Sequence, residues 1–143
     1  MVARSPAQIL AEARTIALVG ASPRVERPSN SVMGYLLRNG YRVIPVRPVG
    51  PPVILGQRRV ASLGEIDEPI DLVDVFRRSE HTAAHAREAV DGGAKALWLQ
   101  LGIRSEEARR IATEGGLDYV EDLCTAVVHG TMERSESSFQ NER

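Results

Sequence analysis

The stretch Ile16-Ala-Leu-Val-Gly-Ala-Ser-Pro-Arg-Val-Glu-Arg-Pro-Ser-Asn-Ser31 decides the fold, because it joins a short apolar run to a polar loop and then to a helix start. Four apolar residues in succession are typical of a strand buried on both faces. A glycine directly after such a strand lets the backbone approach a phosphate. The loop lacks the second glycine of the common dinucleotide fingerprint, so this stretch alone does not identify the ligand.

Strands and helices alternate along the rest of the chain. Short apolar runs predict strands at residues 15–19, 41–46, 70–76, 95–101 and 117–120, with a weak strand near 58–60. Helices are predicted at residues 7–13, 79–90 and 105–113, and a further helix is capped by Ser29 or Asn30 and closed by Asn39-Gly40. Residues 47–56 are rich in proline and glycine and predict an irregular loop.

This alternation favours right-handed crossovers between parallel strands. The sequence therefore predicts an α/β fold, a doubly wound, mostly parallel Rossmann-type sheet with helices on both faces, in a single domain over residues 1–132. A short helix is expected at residues 125–129. The polar residues 133–143 have no apolar periodicity and predict a disordered C-terminal tail.

Composition excludes several classes of function. The 143 residues are 43% hydrophobic and 26% charged, with a formal net charge of −1 and both signs interspersed, so neither nucleic acid nor a membrane is an expected partner. The single cysteine excludes an intrachain disulfide framework and suits a reducing compartment. No signal segment or membrane-spanning run is visible, and we expect a cytoplasmic protein. A protein partner is possible, but none is indicated.

Four loops follow the carboxyl ends of the expected strands, where ligands bind in such sheets. In the first loop, Ser29, Asn30 and Ser31 place backbone N–H groups at a helix start, the polarity that an anion prefers. Arg24 and Arg27 add positive charge to the same loop. The alternative is that Ser29 or Asn30 only caps the helix and that both arginines are solvated.

The second loop carries a cationic residue where many nucleotide-binding folds carry an acid. A site for an unphosphorylated ribose places Asp or Glu at the end of the second strand, whereas this sequence has Val46-Arg47-Pro48. Arg47 favours a nucleotide with an extra ribose phosphate, either the phosphorylated nicotinamide cofactor or coenzyme A. The alternative is a surface arginine without a ligand.

Several blocks of sequence together resemble the CoA-binding domain family, small Rossmann-type proteins similar to the nucleotide-binding domain of the succinyl-CoA synthetase alpha subunit. The resemblance covers residues 7–130 and includes VGAS at 19–22, RPSNSV at 27–32, YLLRNGYRVIPV at 35–46, SL at 62–63, DLVDVFRR at 71–78, GAKALWLQLGI at 93–103, and Cys124 with His129. Two positions depart from the pattern: the family usually shows VNP at 46–48 and DRC at 122–124. Arg47 would either strengthen a phosphate contact or displace the ligand, and Leu123 removes a positive charge from the last loop.

The resemblance implies coenzyme A, or an acyl-CoA, as ligand and assigns a role to each strand end. The first loop would line the nucleotide and meet its phosphates, the second would flank the adenosine, the third would continue the groove, and the fourth would approach the pantetheine arm. The implied residues are, in that order, Gly20, Ala21, Ser22, Pro23, Arg24, Pro28, Ser29 and Asn30; Pro45, Arg47 and Pro48; Phe76, Arg77 and Arg78; Gln100, Leu101 and Gly102.

The sequence supplies no convincing catalytic group or metal site. His81 and His85 have the spacing of two metal ligands on one helix, but no third ligand is evident. Cys124 and His129 are a conceivable thiolate pair, although a buried, inert thiol is favoured. Acyl-CoA synthetases use a phosphorylated histidine from a further domain, for which these 143 residues leave no room.

Three hypotheses follow from these observations. The first is a stand-alone protein that binds or senses coenzyme A or an acyl-CoA without catalysis. The second is an NADP-dependent oxidoreductase, against which the missing second glycine argues. The third is a module that binds a protein partner and whose nucleotide site is vestigial.

Overall fold

Seven strands and five helices make up the computed structural model, which describes residues 3–141. The strands are β1 Thr15–Val19, β2 Arg42–Val46, β3 Val53–Ile54, β4 Gln57–Arg58, β5 Leu72–Val75, β6 Ala96–Leu99 and β7 Asp118–Val120. The helices are α1 Pro6–Glu12, α2 Pro28–Arg38, α3 Ser79–Asp91, α4 Glu106–Glu114 and α5 Thr125–Asn141, with a single 3₁₀ turn at Leu63–Glu65.

Five of the strands form one parallel sheet in the order β2-β1-β5-β6-β7. The interior strand β1 pairs with β2 on one side and with the central strand β5 on the other, so that Ile16 lies between Val43 and Leu72. Residues 16–19 are at most 2% exposed, as expected for a strand covered on both faces.

Helices cover both faces of this sheet, each over its own core cluster. On one face, α1 and α2 pack with the start of α5 over side chains that include Leu18 and Trp98. On the other face, α3 and α4 pack against each other over side chains that include Val73 and Leu97. The prediction of a single-domain, doubly wound α/β fold is confirmed.

The start of α2 differs from the prediction. The N-cap is Arg27, which makes no side-chain capping bond, and Pro28 occupies the first helical position. Proline is preorganised for that position because its φ is already helical and it has no N–H to leave unpaired. Ser29 and Asn30 therefore lie inside the first turn, and the prediction that one of them caps the helix is wrong.

A small hairpin replaces the irregular loop predicted at residues 47–56. Strands β3 and β4 pair antiparallel around a turn in which Leu55 and Gly56 have φ of 48° and 78°. Positive φ at both central residues is typical of the tight two-residue turns that join antiparallel strands. Asparagine or glycine usually occupies the first of these positions, so the leucine at position 55 did not indicate a turn in the sequence. Beyond the hairpin, Val60 forms a parallel bridge with Val46 at the edge of the main sheet.

The last helix is longer than residues 125–129. It continues to Asn141, through most of the segment that was predicted as a tail from Glu133. The absence of apolar periodicity argues against packing of this segment on the core. It does not argue against a helix, because helical hydrogen bonds join residues four positions apart and form without an apolar face. The domain boundary at residue 132 stays a prediction. Within the described range, no helix has the length and apolar character needed to cross a bilayer.

Candidate functional site

A cleft of about 950 Å³ opens at the carboxyl ends of β1, β2, β5 and β6. The sheet order explains its position, because the chain leaves β1 for β2 on one side and later returns to β5 on the other. The loops after β1 and β5 therefore diverge, which makes this the switch point where doubly wound sheets bind ligands. The lining residues are Gly20, Ser22, Arg24, Arg27, Pro28, Ser29, Val32, Arg47, Phe76, Arg77, Arg78, Ser79, Glu80, Gln100, Leu101, Gly102, Ile103 and Cys124.

The charge of the cleft is strongly positive although the whole chain carries −1. Arginines reach it from three different strand ends, and the acid among the lining residues is Glu80. Converging guanidinium groups are the donors that proteins use for phosphate and carboxylate. The cleft is therefore suited to an anionic ligand. The arginines are Arg24, Arg27, Arg47, Arg77 and Arg78.

Gly20 lets the loops after β1 and β5 lie close together at their bases, before they diverge toward opposite faces of the sheet. Its φ is +86°, and a Cβ atom at this position would lie 2.3 Å from the carbonyl oxygen of Phe76. The N–H groups of Gly20 and Ala21 both donate to the carbonyl oxygen of Val46, at 3.0 and 3.3 Å. The first loop is thus held over the end of β2, with no side chain between it and the β5 loop.

Asn30 supports the first loop from beneath. Its Nδ2 donates to the carbonyl oxygen of Ser22 at 2.9 Å, and the Asn30 side chain is buried. The Ser22 hydroxyl in turn accepts a hydrogen bond from the N–H of Arg24 at 3.2 Å. Asn30 does not line the cleft. The sequence predicted that Asn30 contacts phosphate, but in this structure its side chain positions the loop after β1.

The first turn of α2 faces the cleft through Pro28 and Ser29. The N–H groups of Asn30 and Ser31 both donate to the Arg27 carbonyl oxygen. The N–H of Ser29 has no backbone partner within residues 3–141, as is usual in the first turn of a helix. This free N–H, with Arg24 and Arg27 nearby in the loop, gives the helix start the polarity that an anion prefers.

Arg47 is half-buried at the end of β2 and lines the cleft. Its Nη1 lies 3.4 Å from the Ala21 carbonyl oxygen, which is a long and therefore weak hydrogen bond. Its own carbonyl oxygen accepts a hydrogen bond from Nη1 of Arg59 at 2.7 Å. The position of Arg47 is thus fixed from the hairpin side, while most of its guanidinium remains available.

A buried polar network lies beneath the β6 end of the cleft. Nε2 of Gln100 donates to Oδ1 of Asp74 at 2.6 Å and to Oγ1 of Thr125 at 3.0 Å. The Thr125 hydroxyl donates to Oδ2 of Asp74 at 3.0 Å. Burial raises the pKa of the Asp74 carboxyl to about 7, against the lowering effect of these hydrogen bonds.

Asp122 holds the loop that follows β6. Its Oδ1 accepts the N–H of Gly102 at 2.7 Å, and its Oδ2 lies 2.6 Å from Nη2 of Arg104. The Gly102 hydrogen bond, with the one from Arg104, lowers the pKa of the Asp122 carboxyl. Asp122 has φ of 58°, an uncommon backbone for a residue other than glycine. The loop that closes one side of the cleft is thus tied to the end of β7.

Most of the residues expected at the ligand line this one cleft. Ala21 and Pro45 are instead buried in the protein, Asn30 braces the first loop, and Pro23 is exposed outside the lining set. Pro48 faces a separate depression beside Ser62 and His85. The expected residues that do line the cleft are Gly20, Ser22, Arg24, Pro28, Ser29, Arg47, Phe76, Arg77, Arg78, Gln100, Leu101 and Gly102.

Six lining residues were not among the expected ones. Arg27 was noticed only as a nearby charge, and Val32 lies one helical turn beyond Pro28 on the same side. Ser79 and Glu80 begin α3, and Ile103 follows Gly102 directly. Cys124 follows β7, so the rule that ligands bind after strand ends would have found it. The sequence favoured a buried, inert thiol instead, whereas Cys124 is partly exposed and lines the cleft.

His85 and His129 each have a side-chain partner within the fold. Nδ1 of His85 lies 2.9 Å from a carboxylate oxygen of Glu88. Nδ1 of His129 lies 2.9 Å from the Tyr35 hydroxyl, so the suggested Cys124–His129 pair is replaced by a tyrosine contact. No group of three or more His, Cys, Asp or Glu side chains placed for a metal occurs in the described part of the chain.

Comparison with known proteins identifies the family of the chain. The model of the CoA binding domain family matches residues 14–130, and the protein belongs to this family. It is 42% identical over 122 residues to the uncharacterized protein YneT of Bacillus subtilis, a match that covers 85% of this chain and 90% of YneT.

Solved structures share the fold. A hypothetical protein from Pyrococcus horikoshii is 38% identical and superposes with a TM-score of 0.85 over 88% of each chain. A more distant neighbour is the dinucleotide-forming acetyl-coenzyme A synthetase 1 of Ca. Korarchaeum cryptofilum, 20% identical with a TM-score of 0.64. That match covers 73% of this chain and 25% of the synthetase, and at this identity it shows the fold alone.

Proposed function

We propose that the protein binds coenzyme A or an acyl-CoA in this cleft, as a cytoplasmic binding or sensing protein without chemistry of its own. The observation that carries the proposal is the arginine-lined cleft at the switch point of the sheet, with Arg47 where a site for bare ribose carries an acid. Membership of the CoA-binding domain family supports the same ligand.

The phosphate groups are assigned to the side of the cleft formed by β1 and β2. The pyrophosphate lies near the free N–H of Ser29, with Arg24 and Arg27 completing its neutralisation. The ribose phosphate lies against Arg47, whose guanidinium gives a charge-assisted hydrogen bond. Three different parts of the chain thus bind the nucleotide half of the ligand.

The pantetheine arm is assigned to the β5 and β6 side. β2 and β6 are separated by two intervening strands, so Arg47 and Gln100 stand roughly 14 Å apart across the sheet, given about 4.8 Å per strand. An extended ligand is needed to reach both ends. Phe76 and Leu101 supply apolar lining for the arm between the polar ends.

A non-catalytic role is supported by the groups that surround the cleft. The thiol of Cys124 lines the cleft, and His129, the base suggested for it, contacts Tyr35. Activation of a thiol by a general base requires that base within hydrogen-bond reach, and His129 is engaged elsewhere. Asp74 is engaged by Gln100 and Thr125 and does not line the cleft.

NADPH is the competing ligand, because Arg47 fits its ribose phosphate equally well. Isothermal titration of the folded, ligand-free protein with coenzyme A, dephospho-coenzyme A and NADPH separates the alternatives. We expect coenzyme A to bind most tightly. Tighter binding of NADPH would favour an oxidoreductase, and no heat with millimolar coenzyme A would contradict the proposal and favour a vestigial site.

A further inference from the structure

Gln100 is held by one edge of its amide only. Its side chain is nearly buried at the carboxyl end of β6, where it also lines the cleft. The Nε2 group makes two hydrogen bonds downward, to Oδ1 of Asp74 at 2.6 Å and to Oγ1 of Thr125 at 3.0 Å. Thr125 closes the triangle by donating to the second oxygen of Asp74.

An ionised carboxylate fixes the direction of this amide. Because a carboxylate only accepts hydrogen bonds, the edge of Gln100 that faces Asp74 must be its NH₂ group. Oε1 then points the other way. No described residue donates a hydrogen bond to it, and no buried side-chain oxygen or nitrogen in the described range lacks a partner, so Oε1 is open to the cleft.

We propose that Asp74 is a positioning residue that turns Gln100 into a fixed acceptor at the β6 end of the cleft, where Oε1 binds an N–H donor of the ligand. This inference rests on the proposed function. In coenzyme A the matching donors are the amide N–H groups of the pantetheine arm, which the sheet geometry brings to this end. Asp74 touches no ligand itself and selects between ligand groups through the direction of the amide.

The alternative, a purely structural carboxylate, explains the network less well. Asp74 is fully buried between Leu18 of β1 and Trp98 of β6, and a desolvated charge is costly for the fold. A neutral or apolar side chain would fill the position at a lower desolvation free energy, but it would leave both orientations of the Gln100 amide accessible. The carboxylate makes one orientation obligatory.

The direction of the amide depends on the charge of Asp74. When the carboxyl takes a proton it becomes a donor, and Gln100 can turn its oxygen inward and present NH₂ to the cleft. The pKa of about 7 places this change near neutral pH. The titratable groups packed into the same core face are Cys124 before α5, His129 on α5, Tyr35 on α2 and Tyr41 before β2. Of these, none hydrogen-bonds to Asp74.

The experiment compares coenzyme A with adenosine 3′,5′-bisphosphate, which keeps the ribose phosphate and one 5′ phosphate but lacks the second 5′ phosphate and the pantetheine arm. Titrations use the wild type, Gln100→Met and Asp74→Asn, with Gln57→Met on the distant strand β4 as the matched control. Losing one hydrogen bond should weaken coenzyme A binding to Gln100→Met by about 3- to 10-fold. The affinity for the bisphosphate, and both affinities of Gln57→Met, should stay at the wild-type values.

The pH profile separates positioning from simple packing. In the wild type, the ratio of coenzyme A affinity to bisphosphate affinity should fall as the pH drops from about 8 to about 6. In Asp74→Asn that decline should be lost, with only the change that the ligands' own titration causes. If Asp74→Asn does not fold, as judged by circular dichroism, Gln100→Met carries the same test, because its ratio should also lose the decline.

Three results would overturn the inference. Equal weakening of both ligands by Gln100→Met means that the residue acts through packing. A wild-type pH decline that survives in the variants means that another group causes it. If the folded wild type binds neither ligand, the proposed function fails and this inference fails with it, whereas binding of coenzyme A without any difference between the variants contradicts the inference alone.

Discussion

Gly20 shows how far a single residue determines the cleft. Its place after the first strand was predicted from sequence, together with the close approach that a glycine allows. The sequence does not show what approaches: the neighbour is the Phe76 carbonyl oxygen, in a loop more than fifty residues later. In the same way, the position of Arg47 at the cleft was predictable from its place after the second strand. The supporting role of Asn30 was not, because that role depends on a helix that begins at Pro28 and places Asn30 inside its first turn.

Gly20→Ala should lower the free energy of unfolding by about 2 kcal/mol or more, because it adds a clash with Phe76 to the strain of a positive φ. Gly40→Ala is the matched control, since Gly40 has φ of +90° but open space around it. It should show the conformational strain alone, about 1 kcal/mol. Urea denaturation measures both. Equal losses for the two variants would mean that the loops can separate without cost.

Arg47→Glu should weaken coenzyme A binding by about tenfold or more, and dephospho-coenzyme A binding much less, because only the first ligand carries the ribose phosphate. Isothermal titration gives both affinities. Arg110→Glu, the same charge change on α4, should leave both near the wild-type values. A similar loss for both ligands with Arg47→Glu would place this arginine away from the ribose phosphate.

Asp74→Asn should make stability less dependent on pH. The folded pKa of Asp74 is raised from 3.8 to about 7, so the folded protein holds this proton more tightly than the unfolded chain. The contribution of the group is fully present below pH 3.8 and is lost as the pH rises through about 7. The stability of the wild type relative to Asp74→Asn should therefore fall between about pH 4 and pH 8, by up to about 4 kcal/mol. Denaturation across this range measures the difference, and a constant difference would contradict the raised pKa.

Among the elements, long regular segments were predictable and short ones were not. Buried parallel strands give continuous apolar runs, and β1, β5 and β6 were therefore placed correctly to within a few residues. The β3–β4 hairpin has only two residues in each strand, so it offers no periodicity to detect. The extension of α5 was missed for a related reason, since a helix that does not depend on an apolar face has no pattern to detect.

Leu55→Asn should stabilise the hairpin and raise the free energy of unfolding by about 0.5–1 kcal/mol. Leu55 has a positive φ and is 43% exposed, and asparagine followed by glycine is the favoured pair in a tight two-residue turn. Urea denaturation measures the change, with Val53→Asn, an exposed change in the adjoining strand, as the control. A loss of stability would show that packing of the leucine outweighs its backbone strain.

The whole molecule concentrates positive charge that its composition does not reveal. A formal net charge of −1 argued against a general anion-binding surface, and the arginines are spread over the sequence from 24 to 78. The parallel sheet gathers them because the carboxyl ends of its strands meet at one edge. The sequence predicted this edge as the site; the network of Asp74, Gln100 and Thr125 joins residues up to 51 positions apart and becomes visible only in the fold.

In the proposed complex, coenzyme A lies in the cleft in one direction across the sheet. A crystal structure of the complex tests it most directly. We expect the ribose phosphate against Arg47 and the pantetheine arm beside Gln100. Coenzyme A bound outside the cleft, or bound with its ribose phosphate at Gln100, would rule out the proposed orientation.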